Sequence, residues 1–176
     1  LGGVSFNSDT EETEKLRKDI LNLCIKYFDK VHINKEFNPG KSIIAASSKV
    51  LTKEDLTTMV DACLDLWLTA GRYAEMFKKD LSKQFGSKFA SLTVSGSSAN
   101  LLAFSALTSD ALGKNKIKSG DEIITVAAGF PTTVAPIIHH GCVPVYLDVE
   151  LDTVNIDTTN LKKSLTNKTK AVFLAH

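Results

Sequence analysis

Ser95-Gly96-Ser97-Ser98-Ala99-Asn100 joins a predicted strand, Phe89–Val94, to a predicted helix, Ser98–Leu107. Glycine lets the backbone approach a ligand closely, serine hydroxyls follow it, and the unpaired N–H groups of a first helical turn point to the same place. Such a turn can hold a phosphate. The same residues also suit a plain serine N-cap with a glycine turn. The segment has neither the lysine of a Walker loop nor the G-x-G-x-x-G of a dinucleotide fingerprint.

A second loop, Ala127-Ala128-Gly129-Phe130-Pro131-Thr132-Thr133, follows a predicted strand and braces Phe130 between a glycine and a proline. A ring fixed there can lie flat on a planar ligand, or it can plug the core, where most phenylalanines go. Thr132 and Thr133 read as the cap of the next helix. Asp148, Glu150 and Asp152 crowd a third strand end. With no histidine at a ligand spacing they read as turn and capping residues, and no metal site is expected. His139 and His140 precede Gly141 at a helix end, where the helix dipole favours histidine. His32 reads as a surface residue. His176 falls at the carboxyl end of a last predicted strand, the side on which parallel sheets gather ligands. Cys24, Cys63 and Cys142 are an odd number without CxxC spacing and read as buried core thiols.

These groups need elements to position them. Leu16, Ile20, Leu23, Tyr27 and Val31 recur at helical spacing and predict a docking helix, with Ser8 and Glu11 as its capping box. Phe37–Ser48 reads as an extended connector, and Thr52 with Asp55 marks a new helix start. Leu56, Val60, Cys63, Leu64 and Trp67 form that helix's apolar stripe. The pattern breaks at Leu68-Thr69-Ala70-Gly71, and Tyr73, Phe77, Leu81 and Phe85 resume it in a helix ending near Gly86. From Phe89 onward short apolar runs alternate with helical ones. Strands are expected at Phe89–Val94, Glu122–Val126, Val143–Leu147 and Ala171–Ala175. Helices are expected at Ser98–Leu107, Thr132–His140 and Thr159–Leu165. This alternation predicts an α/β fold with a mostly parallel sheet, helices on both faces and its ligands at the strands' carboxyl ends.

Composition narrows the function classes. A formal charge of +1, from 21 basic and 20 acidic side chains, with no long basic run, gives no footprint for nucleic acid or an anionic membrane. No apolar run approaches the ~20 residues of a membrane helix, and there is no secretory signal, so a cytoplasmic location is expected. The chain begins at Leu1, and Ala171–Ala175 runs straight into the final His176. If that run is a buried strand, a covering helix is missing, and the isolated chain is expected to aggregate or bind hydrophobic dye.

Taken together, Trp67-Leu68-Thr69-Ala70-Gly71-Arg72, Ser95–Asn100 and the run Gly120–Thr133 (GDEIITVAAGFPTT) resemble one family. It is the sugar aminotransferase and dehydratase group of fold-type-I pyridoxal phosphate enzymes (DegT/DnrJ/EryC1/StrS), and within it the CDP-4-keto-6-deoxyglucose 3-dehydrase branch. Val145–Asp148, Asn155-Ile156-Asp157 and Ala175-His176 continue the likeness, which covers the chain from about Phe37 onward and is looser before it. The resemblance implies a three-layer fold of which this chain holds an incomplete large domain, with residues 1–50 as amino-terminal helix and connector and residues 51–176 as the first part of the cofactor-binding domain. It implies pyridoxamine or pyridoxal 5'-phosphate as cofactor, with Gly96 and Ser97 on its phosphate and Phe130 stacked on its ring. Thr69 matches a segment lining the substrate pocket, and His176 lies on the substrate side.

The same resemblance implies a nucleotide-linked 4-keto-6-deoxyhexose as substrate, engaged by the cofactor's amine. A histidine that stands where aminotransferases keep a lysine removes a proton so that the 3-hydroxyl leaves. A [2Fe-2S] cluster on four cysteines, fed by an iron-sulfur flavin reductase, completes the deoxygenation in a homodimeric enzyme of 3,6-dideoxysugar assembly for surface polysaccharide. These catalytic groups would follow His176, so none is expected within the chain. The alternatives are a sugar aminotransferase, a GDP-sugar 3-dehydratase without a cluster, or a non-catalytic phosphate-ligand module.

Overall fold

A computed structural model describes residues 10–32, 36–47 and 49–175, in two compact units, Leu1–Ala90 and Ser91–His176. The first unit is helical. Helix α1, Glu11–Val31, starts at Thr10, whose side chain accepts the Thr13 N–H while Thr13 reaches back to the Thr10 N–H. The cap is therefore Thr10, and the expected Ser8 lies outside the described residues. Helix α2, Lys53–Leu64, opens with the expected reciprocal box of Thr52 and Asp55. Helix α3, Arg72–Phe85, closes at Gly86, whose φ of 62° is a left-handed C-terminal turn that suits glycine.

The face that α1 half-buries is not the expected one. Leu16, Ile20, Leu23, Tyr27 and Val31 are exposed. Arg17, Leu21, Cys24, Ile25 and Phe28 are the half-buried residues, one stripe round the helix. Charge selects that stripe. Arg17 donates from Nε to Asp61 Oδ1 at 2.5 Å and from Nη2 to Asp65 Oδ1 at 2.5 Å, and Arg72 at the start of α3 binds the same two carboxylates. On α2, Leu56, Val60 and Leu64 are half-buried, whereas Cys63 is exposed and Trp67 lies beyond the helix end. Only Cys142 of the three cysteines is a buried thiol.

The second unit holds a parallel sheet. Strands β1, Glu122–Val126, and β2, Val143–Leu147, have the expected bounds and pair over their full lengths. Strand β3, Thr169–Val172, begins two residues earlier than expected and pairs with the other side of β1, giving the order β2-β1-β3. The central strand is buried on both faces. Ile123 packs with Phe104, Ile117, Ile137 and Cys142, so helices α4, Gly96–Leu107, and α5, Pro131–His139, reach the sheet through Phe104 and Ile137. Thr125 is fully buried, and its hydroxyl has no partner among the described residues.

Two expected elements differ. Phe89–Val94 is not a strand, because none of its backbone groups finds a ladder partner among the described residues, and Phe89 and Val94 are exposed. Thr159–Leu165 is two short 3-10 turns, Thr158–Asn160 and Lys162–Ser164. There Asp157 draws the Thr159 N–H and hydroxyl onto its own carboxylate, the local competition that keeps Asp and Thr at helix ends. Pro144 lies in β2, at one edge of the sheet, which is where a strand tolerates proline.

Candidate functional site

The order β2-β1-β3 is the 2-1-3 order of doubly wound sheets, whose switch point lies between β1 and β3. Ligands of such sheets occupy the crevice outside the carboxyl ends of these strands. A recess of roughly 300 Å³ stands there, lined by Val126 at the end of β1, Ala128 and Gly129 after it, Leu174 and Ala175 after β3, and Val154–Ile156 from the turn after β2.

Helix α4 brings the first predicted loop to this unit. Ser95 is its N-cap, and its hydroxyl accepts the Ser98 N–H at 3.1 Å. The cap thus uses the third N–H of the helix. Those of Gly96 and Ser97 have no protein acceptor among the described residues. Nothing stands within 4 Å of the place a Cβ would take on Gly96, so the backbone is open to a ligand. The serine cap read from the sequence is therefore present, and it leaves the first two N–H groups of the helix without a protein acceptor among the described residues.

Helix α5 brings the second loop. Phe130 itself is the N-cap, Pro131 follows in the first turn, and Thr133 donates its N–H to the Phe130 carbonyl at 3.0 Å. Thr132 and Thr133 are therefore not the cap. Phe130 is 70% exposed, so it does not plug the core. Asn100, one turn into α4, donates from Nδ2 to the Thr132 carbonyl at 3.3 Å. That bond holds the two helix starts side by side, with the cradle on one and the aromatic ring on the other.

Thr69 is exposed on the turn between α2 and α3, in the first unit. His176 lies outside the described residues. His139 and His140 end α5 as expected, and His140 Nε2 lies 2.9 Å from Ser105 Oγ, tying α5 back to α4. Asp148 and Glu150 shape the turn after β2, where Val149 pairs with Ile156. Asn100 was not singled out in the sequence, although a polar side chain among Leu101, Leu102 and Phe104 was its signal. Asp61 and Asp65 were missed too. Two acids four residues apart beside an apolar stripe share one helix face and marked a cation partner.

The cradle suits a dianion. Two N–H groups without an acceptor among the described residues, at the positive end of a helix and with the Ser97 hydroxyl in the same turn, suit a phosphate, and an exposed aromatic residue at the neighbouring helix start suits a flat heterocycle. Residues 50–176 match the DegT/DnrJ/EryC1/StrS aminotransferase family. This chain belongs to that family. The lipopolysaccharide biosynthesis protein RfbH of Salmonella typhimurium is 47% identical over 92% of this chain and 37% of its own length. The dTDP-4-dehydro-2,6-dideoxy-D-glucose 3-dehydratase of Saccharopolyspora spinosa is 41% identical over 90% of this chain and 34% of its own. Among solved structures, the E. coli GDP-4-keto-6-deoxy-D-mannose 3-dehydratase with bound hydrated PLP is 37% identical, with a TM-score of 0.58 over 65% of this chain and 29% of that one. The fold is that of the fold-type-I PLP enzymes. The chain spans about a third of the length of these curated relatives.

Proposed function

We propose that the protein carrying this chain is a pyridoxal-phosphate-type enzyme of deoxysugar biosynthesis that dehydrates a nucleotide-linked 4-keto-6-deoxyhexose at C-3. One observation supports the cofactor reading, the Asn100–Thr132 bond that ties α4, which begins with Gly96 and Ser97, to the start of α5, where Phe130 stands exposed. Gly96 and Ser97 hold the phosphate, and Phe130 covers one face of the pyridine ring. When bound, the coenzyme supplies an amine for the 4-keto carbon and a ring that draws electron density from the sugar. This chain's own share would be to hold the phosphate and to keep water from one face of the ring. Thr69 and His176 contact the substrate.

The dehydratase names of the S. spinosa and E. coli relatives support loss of the 3-hydroxyl over amination at C-4. The GDEIITVAAGFPTT run, with its likeness to the CDP-linked branch, supports a CDP-4-keto-6-deoxyhexose as substrate, and the RfbH likeness supports a place in surface-polysaccharide assembly. A homodimer and an iron-sulfur flavin reductase partner belong to the same reading. A [2Fe-2S] cluster takes four thiolates, whereas Cys24 lies on α1, Cys63 on α2 and Cys142 between α5 and β2, and they form no metal-holding group among the described residues. These thiols do not fit a cluster, so no step runs through one here.

The test is cofactor retention in the full-length protein. Ser97→Ala should weaken it by about 1–3 kcal/mol, the range for a hydrogen bond to a charged group, measured by loss of near-ultraviolet or violet absorbance on dialysis. Retention equal to the native protein's would remove Ser97 from the site. Incubation of the loaded protein with CDP-4-keto-6-deoxyglucose should release the 3-hydroxyl. A 4-amino sugar as the product would point to transamination.

A further inference from the structure

The turn between α2 and α3 is restrained at every level. Leu66 has a φ of 49°, the left-handed region that residues with side chains rarely adopt. Asp65 before the turn and Arg72 after it are joined, Nε to Oδ2, at 2.8 Å. Arg17 on α1 donates to both Asp61 and Asp65, Arg72 also binds Asp61, and the Tyr73 hydroxyl donates to Asp61 at 2.5 Å. Inside the turn, Trp67 Nε1 donates to the Ala70 carbonyl at 3.0 Å. A Cβ on Gly71 would stand 3.3 Å from the indole Cδ1, so the ring lies close along the glycine.

What these restraints hold is not core. Leu68 is 94% exposed, and Trp67 and Thr69 are exposed beside it. Backbone held in a sparsely populated region persists only where its surroundings over-determine it, and such segments gather at ligand clamps. Fixing exposed side chains in advance removes an ordering cost that a ligand would otherwise meet on binding.

We propose that Arg17, Asp61, Asp65 and Arg72 form a positioning cage that preorganises the Leu66–Gly71 turn to receive the nucleotide sugar. The cage acts through the turn and does not itself touch the substrate. This rests on the reading of Thr69 as a substrate contact.

The experiment uses the full-length, cofactor-loaded protein and titrates it with CDP-glucose, dTDP-glucose and GDP-mannose, following Trp67 fluorescence. Arg72→Ala should weaken the tightest of the three by about tenfold, equal to ~1.4 kcal/mol, while cofactor absorbance is unchanged. Arg72→Lys should recover part of that loss, because lysine restores the charge without the two-pronged geometry. Undiminished affinity in Arg72→Ala overturns the proposal. Should that variant be insoluble, Leu66→Gly decides the matter. It keeps every charge and frees the backbone where glycine is at ease, so thermal stability should hold while nucleotide-sugar binding weakens. Binding equal to the native protein's overturns the proposal, as does a native protein that binds none of the three. A native protein that retains no coenzyme sinks the underlying cofactor reading instead.

Discussion

Replacing Asp61 by alanine takes one acceptor from three donors at once. Arg17 Nε and Tyr73 Oη, each at 2.5 Å, and Arg72 Nη2 lose their shared carboxylate, while Asp65 still serves both guanidinium groups. Breaking a fully buried pair costs ~3–5 kcal/mol, and an exposed pair is worth only ~0–1 kcal/mol. The Asp61 side chain is 15% exposed but its partners Arg17 and Arg72 are 32% and 45% exposed. Solvent screening therefore sets the expected loss between the two limits, at about 1–3 kcal/mol. The effect also has a pH signature. Burial by itself would raise the Asp61 carboxyl, but hydrogen bonds from Arg17, Tyr73 and Arg72 outweigh it and hold the group far below the usual carboxylate range. Asp65 is lowered as well, by hydrogen bonds from Arg72 and then Arg17. A depressed carboxyl stays charged in the folded chain at pH values where the unfolded chain has already bound its proton. The stabilisation is thus complete above the unfolded value of ~3.9 and is lost as pH falls toward the folded value. Urea unfolding of the full-length protein, followed by Trp67 fluorescence at pH 7 and pH 3, should show the native protein losing more stability on acidification than Asp61→Ala does. Equal midpoints for the two at pH 7, or a native protein that gains stability toward pH 3, would refute the reasoning.

Three further outcomes are expected. Asn100→Ala should loosen the coenzyme by about 0.5–1.5 kcal/mol, the net worth of one neutral hydrogen bond, read by equilibrium dialysis, with no change if α4 and α5 keep their spacing without it. Thr125→Val removes a buried hydroxyl that lacks a partner among the described residues. It should leave stability unchanged or raise it by about 1 kcal/mol in urea unfolding, and a clear loss would reveal a partner for that hydroxyl. Ile137→Ala opens a cavity beside Phe104 and Ile123 and should cost about 2–5 kcal/mol, seen as a lowered melting temperature without altered coenzyme absorbance per folded molecule.

Much of this was legible in the sequence where local chemistry decides. Thr52 with Asp55 fixed the start of α2, Gly86 fixed the end of α3, and the short apolar runs of β1 and β2 had no competing helical spacing. The reading failed where a distant partner decides. Helix α1 carries two apolar stripes, and periodicity cannot tell which one meets a neighbour. The Arg17 contact with Asp61, 44 residues away, makes that choice. Phe89–Val94 has a strand's composition but no ladder among the described residues. For Phe130, composition favoured the core, yet the residue caps a helix that starts at the sheet's ligand side, and its ring stands in solvent. The capped turn at the start of α4 was visible as a motif. Its tie to the second loop was not, because the Asn100 bond spans 32 residues.

The proline in β2 gives the sheet a direction of growth. Val143 donates its N–H to the Asp121 carbonyl, and the Leu147 carbonyl accepts from Ala127, so these alternate residues turn their polar groups inward toward the central strand. Pro144 and Tyr146 turn theirs outward. At Pro144 that outward position has no hydrogen to give. A newcomer strand would meet a broken row of donors on the β2 flank. The missing donor makes that flank a poorer template for edge-to-edge pairing.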